Sequence, residues 1–154
     1  MILGLDISLS ATGWALIEPS GHLLAMGTIK SKPDTDRFAR FDKILKTIKQ
    51  VGSFQMIKLV VIEGYSFNSF GKVFDIAELS GIIKYEFWKN TIHFVEIPPN
   101  TLKKFVTGKG NSDKNIMMQK AYKQWGIEFA DDNACDAFCL AKYGHANYKE
   151  LKNA

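Results

Sequence analysis

Residues 1–17, MILGLDISLSATGWALI, decide the fold, because they predict two paired strands with an acid between them. Residues 2–7 are continuously apolar apart from Gly4 and Asp6, which is typical of a buried strand. Residues 13–17 predict a second strand, and a short connection between successive strands favours antiparallel pairing. An ionised carboxylate in a buried strand is costly unless it is paired or bound to a metal. This stretch therefore starts a sheet and supplies a candidate functional residue, Asp6.

Outward from this stretch, the apolar spacing predicts alternating strands and helices. Further strands are predicted at residues 23–29, 58–62 and 91–95. Helices are predicted at residues 37–51, 73–88, 98–106, 114–125 (with Asp113 as N-cap) and 131–143, followed by a polar tail. The order βββαβαβααα predicts an α/β fold: one five-stranded mixed sheet, with an antiparallel meander on one side, parallel strands on the other and helices on its faces.

Composition places the chain among ordinary globular proteins. It has 154 residues, 46% of them hydrophobic and 23% charged, which predicts a single domain over residues 1–154. No apolar run is long enough to span a bilayer, and the start MILGLDIS lacks the basic region of a signal peptide. Cys135 and Cys139 are predicted to be reduced core thiols. We therefore expect a cytoplasmic protein without a membrane partner, and the net charge of +4 favours a polyanionic one.

Two acids stand where strands are predicted to end. Asp6 lies in the first strand, and Glu63 follows the strand at residues 58–62. If these strands are parallel neighbours, both acids meet at the carboxyl edge of the sheet, where open α/β sheets bind ligands. Each acid also has an ordinary structural interpretation: Asp6 capping a turn onto Ser8 or Ser10, and Glu63 ending a strand in solvent.

The last predicted helix carries three more acids. Asp131 is a plausible N-cap, a purely structural role. Asp132 and Asp136 lie four residues apart and so share a helix face. Asp136 lies among apolar residues in mid-helix, where a carboxylate has no structural explanation, so a functional role is favoured there.

Several carboxylates without histidine or thiolate partners favour a hard cation such as Mg²⁺. Two such ions about 3.5–4 Å apart stabilise the attacking and leaving oxygens of an in-line phosphoryl displacement. The acids therefore predict a metal-dependent enzyme that acts on phosphate esters.

Four motifs together resemble those of RuvC-type Holliday junction resolvases, and the divergence is most like that of phage-encoded members such as those of lactococcal phages. The motifs are GLDISLSATGWA (4–15), VVIEGYSF (60–67), PPNTLKKFVTGKGNSDKN (98–115) and DNACDAFCLA (132–141). They span nearly the whole chain in the family's order and spacing. The resemblance implies an RNase H-like fold and a homodimer that uses Mg²⁺, with Mn²⁺ as a substitute, to nick opposite strands of a four-way DNA junction.

By position, Asp6 resembles the family's first-strand metal ligand, Glu63 the second ligand and Asp136 the last-helix ligand. The family has another acid or histidine three residues before that last position, where this chain has Asn133. We expect Asp132, one residue earlier, to take over because it shares a face with Asp136. The alternative is that Asn133 offers a neutral oxygen and one metal site is weaker.

Basic residues surround a predicted glycine loop that opens a helix, where backbone N–H groups and the helix dipole favour phosphate. They are Lys103, Lys104, Lys109, Lys114 and Lys120. Lys103 and Lys114 resemble the family's basic residues near the scissile phosphate, while the ordinary interpretation is a solvated basic face. The predicted catalytic set is Asp6, Glu63, Asp132, Asp136 and Lys114, and the predicted DNA contacts include Lys103, Lys104, Lys109 and Lys114.

Aromatic residues follow Glu63 in a stretch rich in serine, asparagine and glycine. In the family that the chain resembles, an aromatic side chain shortly after this glutamate stacks at the junction crossover. Phe67 matches best by spacing and Phe70 next, with Tyr65 nearby. Aromatic rings in such a position bind unpaired bases, although they more often anchor the loop to the core.

The predicted homodimer would use the helix after Glu63. Its apolar residues at helical spacing are Ile76, Leu79, Ile83 and Phe87. Part of that face must also cover the sheet, so periodicity leaves core and interface undivided.

The leading hypothesis is a metal-dependent, structure-selective endonuclease that hydrolyses backbone phosphodiesters of four-way junctions and other branched DNA, including forks. Alternatives are a catalytically weak or silent junction-binding protein, or an RNA-processing nuclease of the same fold. An actin-like kinase is disfavoured, because those proteins place two such domains around their nucleotide.

Overall fold

The computed structural model describes residues 1–33, 35–51, 53–64 and 73–153. Within these ranges, five strands form one mixed sheet with helices on both faces. The strands are β1 (Ile2–Asp6), β2 (Ala11–Ile17), β3 (Leu23–Lys30), β4 (Leu59–Glu63) and β5 (Phe94–Ile97). The helices are α1 (Arg37–Gln50), α2 (Val73–Lys89), α3 (Pro99–Thr107), α4 (Lys114–Trp125), α5 (Asp132–Ala146) and α6 (Tyr148–Leu151), with a 3₁₀ turn at Phe54–Met56.

The strand order β3-β2-β1-β4-β5 confirms the predicted mixed sheet. β1 pairs antiparallel with β2 and parallel with β4, and β5 continues the parallel half. Leu5 pairs with Ile62, so the next residues, Asp6 and Glu63, lie side by side at the carboxyl edge of the sheet. β1 and β4 are apolar on both faces because helices cover both sides of this central pair.

On one face of the sheet, the main chain of α5 lies very close to the strands. A methyl group on Gly4 would lie 2.0 Å from the carbonyl oxygen of Ala137, and one on Gly13 would lie 2.0 Å from that of Asn133. The main chain of α5 therefore lies directly on β1 and β2, which only glycine at these two strand positions permits. This contact sets the height and rotation of the first turns of α5 above the strand ends.

The opposite face is covered by α1 and α2 through large side chains. Ile44 and Ile48 of α1 are fully buried against it. Leu79, Ile83 and Phe87, which the sequence offered to a dimer interface, are fully buried in the same cluster. These three side chains therefore belong to the core of the described chain.

Two predicted boundaries differ from the structure. The last strand is Phe94–Ile97, not residues 91–95, because the chain turns at Thr91, whose φ is 54° and whose N–H donates to the carbonyl of Trp88. The predicted polar tail contains α6. The side chain of Leu151 in this helix packs against the core, and the carbonyl oxygen of Leu151 lies 2.7 Å from the ring Nε2 of His93. The strand therefore starts later and the helical region ends later than the sequence pattern indicates.

Two other expectations, the reduced cysteines and the N-cap Asp113, are confirmed. Cys135 and Cys139 are buried free thiols. Asp113 caps α4, accepting from the N–H of Ile116 at 2.9 Å. None of the helices in the described ranges is both long enough and apolar enough to cross a membrane.

Candidate active site

A crevice of about 370 Å³ opens at the carboxyl edge of β1 and β4. Acidic side chains from three elements line it: Asp6 of β1, Glu63 of β4 and Asp136 of α5. Lys103 of α3 and Lys114 of α4 line the same space. The crevice therefore joins acids and lysines from five elements of the fold, separated by up to most of the chain length.

Asp6 and Glu63 lie close enough for their carboxyl groups to share a hydrogen bond. Burial, the charge of Glu63 and that hydrogen bond raise the pKa of Asp6 to about 8, against the opposing charge of Lys114. Burial and the charge of Asp136 raise the pKa of Glu63, although the hydrogen bond from Asp6 and both lysines act against this. The pair therefore holds a proton at neutral pH, with Asp6 as the donor and Glu63 as the acceptor.

Asp136 is only 7% exposed and lies in the middle of α5. Burial and the charge of Asp6 raise its pKa to about 7, while Lys114 and Lys103 act in the opposite direction. A carboxyl group with this perturbation, in a crevice, marks a functional site more often than a structural one. The structure thus gives Asp136 the buried position that its apolar neighbours in the sequence indicate.

Asp132 lies beside the crevice, bonded to a lysine. Its Oδ2 lies 2.5 Å from Nζ of Lys114. This hydrogen bond lowers the pKa of Asp132. Burial alone would lower the pKa of Lys114, but the hydrogen bond and the nearby carboxylates outweigh it, so the pKa of Lys114 is raised. Both groups therefore stay ionised at neutral pH.

Asn133, the alternative to Asp132 in the sequence, is the residue of the first turn of α5 that lines the crevice. Its amide nitrogen lies 3.4 Å from Oδ1 of Asp132. Its main chain is held against Gly13 of β2. The two candidates therefore occupy different places: Asn133 on the crevice wall and Asp132 against Lys114.

Asp131 has the structural role expected of it. Its Oδ1 accepts from the N–H of Ala134 at 2.9 Å and from the hydroxyl of Thr28 on β3 at 2.7 Å. The residue therefore caps α5 and ties its start to the sheet.

The other candidate lysines lie around the glycine loop. Lys104 and Lys109 are exposed and lie outside the crevice wall. The hydroxyl of Thr107 donates towards the carbonyls of Lys103 and Lys109 and lies 2.7 Å from the hydroxyl of Ser112. This network, which the sequence analysis missed, holds the loop that leads into α4 and Lys114.

The loop after β1 forms a second part of the crevice wall that the sequence analysis missed. Ser8 lines the crevice, and its carbonyl accepts from the buried hydroxyl of Thr12 at 2.5 Å. Buried Arg40 of α1 donates to the carbonyl of Leu9 at 2.9 Å and to the hydroxyl of Ser31 at 3.0 Å. The hydroxyl residues that follow Asp6 are the sequence signal that could have indicated this loop.

The acids surround the crevice without forming a closed cage. Among the described residues, no group of three or more histidine, cysteine and acidic side chains is placed to hold a metal ion as it stands.

The aromatic candidates Phe67 and Phe70, and Tyr65 beside them, lie outside the described residues. Their predicted role at the junction crossover stays a prediction.

Comparison with known proteins connects this site to an enzyme family. The family model described as crossover junction endodeoxyribonuclease RuvC matches residues 2–143. A protein of that name from Campylobacter hominis is 30% identical over 158 residues, covering 98% of this chain and 99% of the relative. Another, from Synechococcus sp. WH7803, is 24% identical over 148 residues, covering 93% of this chain and 96% of the relative.

The fold matches as well. The structure of Thermus thermophilus RuvC in complex with a Holliday junction substrate superposes with a TM-score of 0.80 at 13% identity, covering 97% of this chain and 94% of that one. The likeness confirms the predicted RNase H-like arrangement of a mixed five-stranded sheet with flanking helices.

Proposed function

This chain belongs to the RuvC family of crossover junction endodeoxyribonucleases, and from that premise we propose that it resolves four-way DNA junctions by hydrolysis in the carboxylate crevice. The observation that carries this assignment is the meeting of Asp6, Glu63 and Asp136 beside Lys103 and Lys114. Acids and lysines in one crevice suit a reaction in which a polyanion approaches clustered carboxylates. Asp6 or Glu63 alone would not support the assignment, because each has an ordinary structural interpretation when taken by itself.

The donor set fits the metal dependence of the family. Burial and the charges of neighbouring carboxylates raise the pKa values of Asp6, Glu63 and Asp136. A hard cation bound between them would therefore relieve an existing repulsion. We propose Mg²⁺, with Mn²⁺ as a substitute, held by these three residues. When bound, divalent ions supply positive charge that activates water and stabilises the departing 3′-oxygen. Asp132 as a further ligand stays a prediction.

The chain's own basic residues bind and orient the DNA. Lys114 and Lys103 line the crevice and offset the charge of its acids, so they can pair with the scissile phosphate as it enters. Lys104 and Lys109 are exposed near the glycine loop and are proposed to contact the backbone of a flanking arm. Because phosphate contacts carry no sequence information, these lysines favour DNA shape over sequence.

We propose that the active form is a homodimer in the cytoplasm, as two opposed crevices would allow opposite strands to be cut. The proposed surface is the outer side of α2, since Leu79, Ile83 and Phe87 are already used in the core. Its exposed aromatic residues are Phe74, Tyr85 and Trp88, at 85%, 58% and 68% exposure. Exposed aromatic residues of this kind are enriched in interfaces.

Replacing the strand acids tests the active site. Asp6→Asn and Glu63→Gln should abolish junction nicking while junction binding is kept, because each change removes a proposed ligand and leaves the lysines in place. Labelled four-way, forked and linear DNA, together with structured RNA, would be incubated with and without Mg²⁺ and the nicks mapped. Asp42→Asn is the matched control, since Asp42 is an exposed acid paired with Lys46 on α1. Full nicking by either crevice variant would remove that residue from the site.

A catalytically weak or silent junction-binding protein is the second candidate, and the neutral Asn133 on the crevice wall is the observation that favours it. That alternative predicts tight junction binding by the wild-type chain without nicks in Mg²⁺ or Mn²⁺. Preferred cleavage of structured RNA in the same assay would instead favour an RNA-processing nuclease.

A further inference from the structure

We propose that Asp132 is a positioning residue that holds Lys114 at the crevice, and that Asn133 takes the place on the crevice wall that a ligand from the first turn of α5 would occupy. The inference rests on the proposed function, because it assigns roles within that same site. It separates two neighbouring residues that the sequence left as rivals for one role.

The ion pair joins the starts of two helices. Lys114 is the first residue of α4 and Asp132 the first residue of α5. Each helix start is fixed by its own side-chain cap, Asp113 for α4 and Asp131 for α5. A short Lys114–Asp132 bond between two capped helix ends therefore connects parts of the backbone that are already held in place.

The position of Lys114 favours an anionic partner. A cation in the first turn of a helix lies at the positive end of the helix dipole, which is unfavourable. Lys114 is also 60% exposed at its side chain, so without a partner its long chain would sample many rotamers. Asp132 offsets the dipole and selects the rotamers that place the ammonium group at the crevice.

The carboxylate of Asp132 is engaged on both oxygens. Oδ2 accepts from Lys114 at 2.5 Å, and Oδ1 faces the amide nitrogen of Asn133 at 3.4 Å. Lys114 and Asn133 both line the crevice, whereas Asp132 is absent from its wall among the described residues. Asp132 thus contacts the crevice through its two neighbours, while its charge also helps to raise the pKa values of Asp6 and Asp136.

The packing of α5 on the sheet explains why Asn133 has the wall position. The carbonyl of Asn133 lies against Gly13, with no room for a methyl group between them. Consecutive helix residues project about 100° apart, so a helix held this way cannot present both side chains to the crevice equally. The one-residue offset is therefore decided by backbone contact with β2.

A double-mutant cycle with a separate metal measurement tests the proposal. Single-turnover cleavage of a four-way junction would be measured for Asp132→Asn, Lys114→Met and the double variant, and Mg²⁺ affinity by calorimetry on the DNA-free protein. We expect Lys114→Met to slow cleavage about 100-fold and Asp132→Asn about tenfold. The double variant should be no slower than Lys114→Met alone, and Asp132→Glu should recover most of the rate.

The calorimetric arm separates positioning from ligation. Mg²⁺ affinity of Asp132→Asn should stay within about twofold of wild type, whereas Asp136→Asn should lose most of it. A loss for Asp132→Asn that matches Asp136→Asn would overturn the proposal, and so would additive rate effects in the cycle. Either result leaves the proposed function standing, while a wild-type protein that binds Mg²⁺ but never nicks junctions would remove the proposed function itself.

Discussion

The two faces of the sheet are packed in opposite ways. On one face, α5 rests its main chain on Gly4 and Gly13, with no side chains between. On the other face, α1 and α2 pack against the sheet through large buried side chains such as Ile44 and Phe87. Both faces bury apolar surface, but only the first transmits the backbone position of the strands directly to a helix.

This difference in packing matters for the crevice, because α5 carries residues that line it. α5 carries Asp136 and Asn133 to the crevice, and a shift of 1 Å there would change every distance among the acids. From the other face, α1 reaches the loop after β1 through the bond of Arg40 to Leu9, and α2 lines the crevice with Ile76 and Ser80. Close main-chain contact therefore fixes the helix that carries Asp136, while the face packed through large side chains stabilises the fold and adds lining to the crevice.

The largest effect is expected from adding one methyl group to the α5 face. Gly13→Ala would bring its Cβ 2.0 Å from a carbonyl oxygen of α5, so the helix start must move. We expect junction cleavage to fall at least about 100-fold, with an unfolding free energy lower by about 1–3 kcal/mol. Single-turnover cleavage and urea unfolding measure the two effects.

Gly81→Ala on α2 is the matched control on the opposite face. A Cβ there meets no atom within 4 Å, so it should raise stability by about 0.5–1 kcal/mol; because Gly81 shares the outer side of α2 with Tyr85, its cleavage rate is compared with that of wild type at matched dimer content. Normal cleavage by Gly13→Ala would show that contact on the α5 face does not set the site.

A substitution on the sheet face covered by α1 and α2 is expected to have a smaller effect on cleavage and a large effect on stability. Ile44→Ala removes a fully buried side chain from α1 and should lower the unfolding free energy by about 2–5 kcal/mol. The remaining folded protein should cleave junctions at close to the wild-type rate at low temperature. A loss of cleavage equal to that of Gly13→Ala, in protein shown to be folded by circular dichroism, would remove the distinction between the faces.

The smallest expected effect is a pH dependence that comes from the acid carried by the α5 face. The folded pKa values of Asp136, about 7, and Asp6, about 8, lie above their ordinary value of 3.8, so the folded protein binds more protons than the unfolded chain between these values. Stability from these groups is present below about pH 4 and is lost as the pH rises through 7 and 8. The Tm of metal-free wild-type protein should therefore fall between pH 5 and pH 9.

Asp136→Asn should reduce this slope, because only the contribution of Asp6 remains, and Ile44→Ala should keep it. Saturating Mg²⁺ should also flatten the slope, because cation binding favours the ionised carboxylates. Thermal scans across this pH range test the point, and parallel slopes for wild type and Asp136→Asn would contradict it.

Much of the fold could be predicted because its signals are local. The apolar runs of β1 and β4 and the helical spacing of α1 and α2 each depend on neighbouring residues alone. The predicted start of β5 was too early because Thr91 adopts a left-handed turn conformation, which the local sequence does not indicate. α6 was missed because its stability comes from contact with the core.

The candidate site was predictable in part for the same reason. Asp6, Glu63 and Asp136 stand out because acids are costly in apolar segments, and strand order alone brings the first two to one edge. The sequence favoured Asp132 over Asn133 as a ligand because Asp132 shares a face with Asp136, but both lie about one helical turn before Asp136, so that choice stays a prediction. The Thr107 and Arg40 hydrogen bonds were equally hidden, because their partners are carbonyl groups that every residue possesses.

The sequence by itself determined the alternation of strands and helices, the acids that cost free energy to bury, and the lysines beside them, since each depends on the chemistry of residues close along the chain. Tertiary structure alone decided which face of α5 meets the crevice, that Asp132 bonds to Lys114, and that Leu79, Ile83 and Phe87 are core. The physical reason is that rotation and height of a helix on a sheet are set by contacts such as Gly13 against Asn133, between residues more than a hundred positions apart.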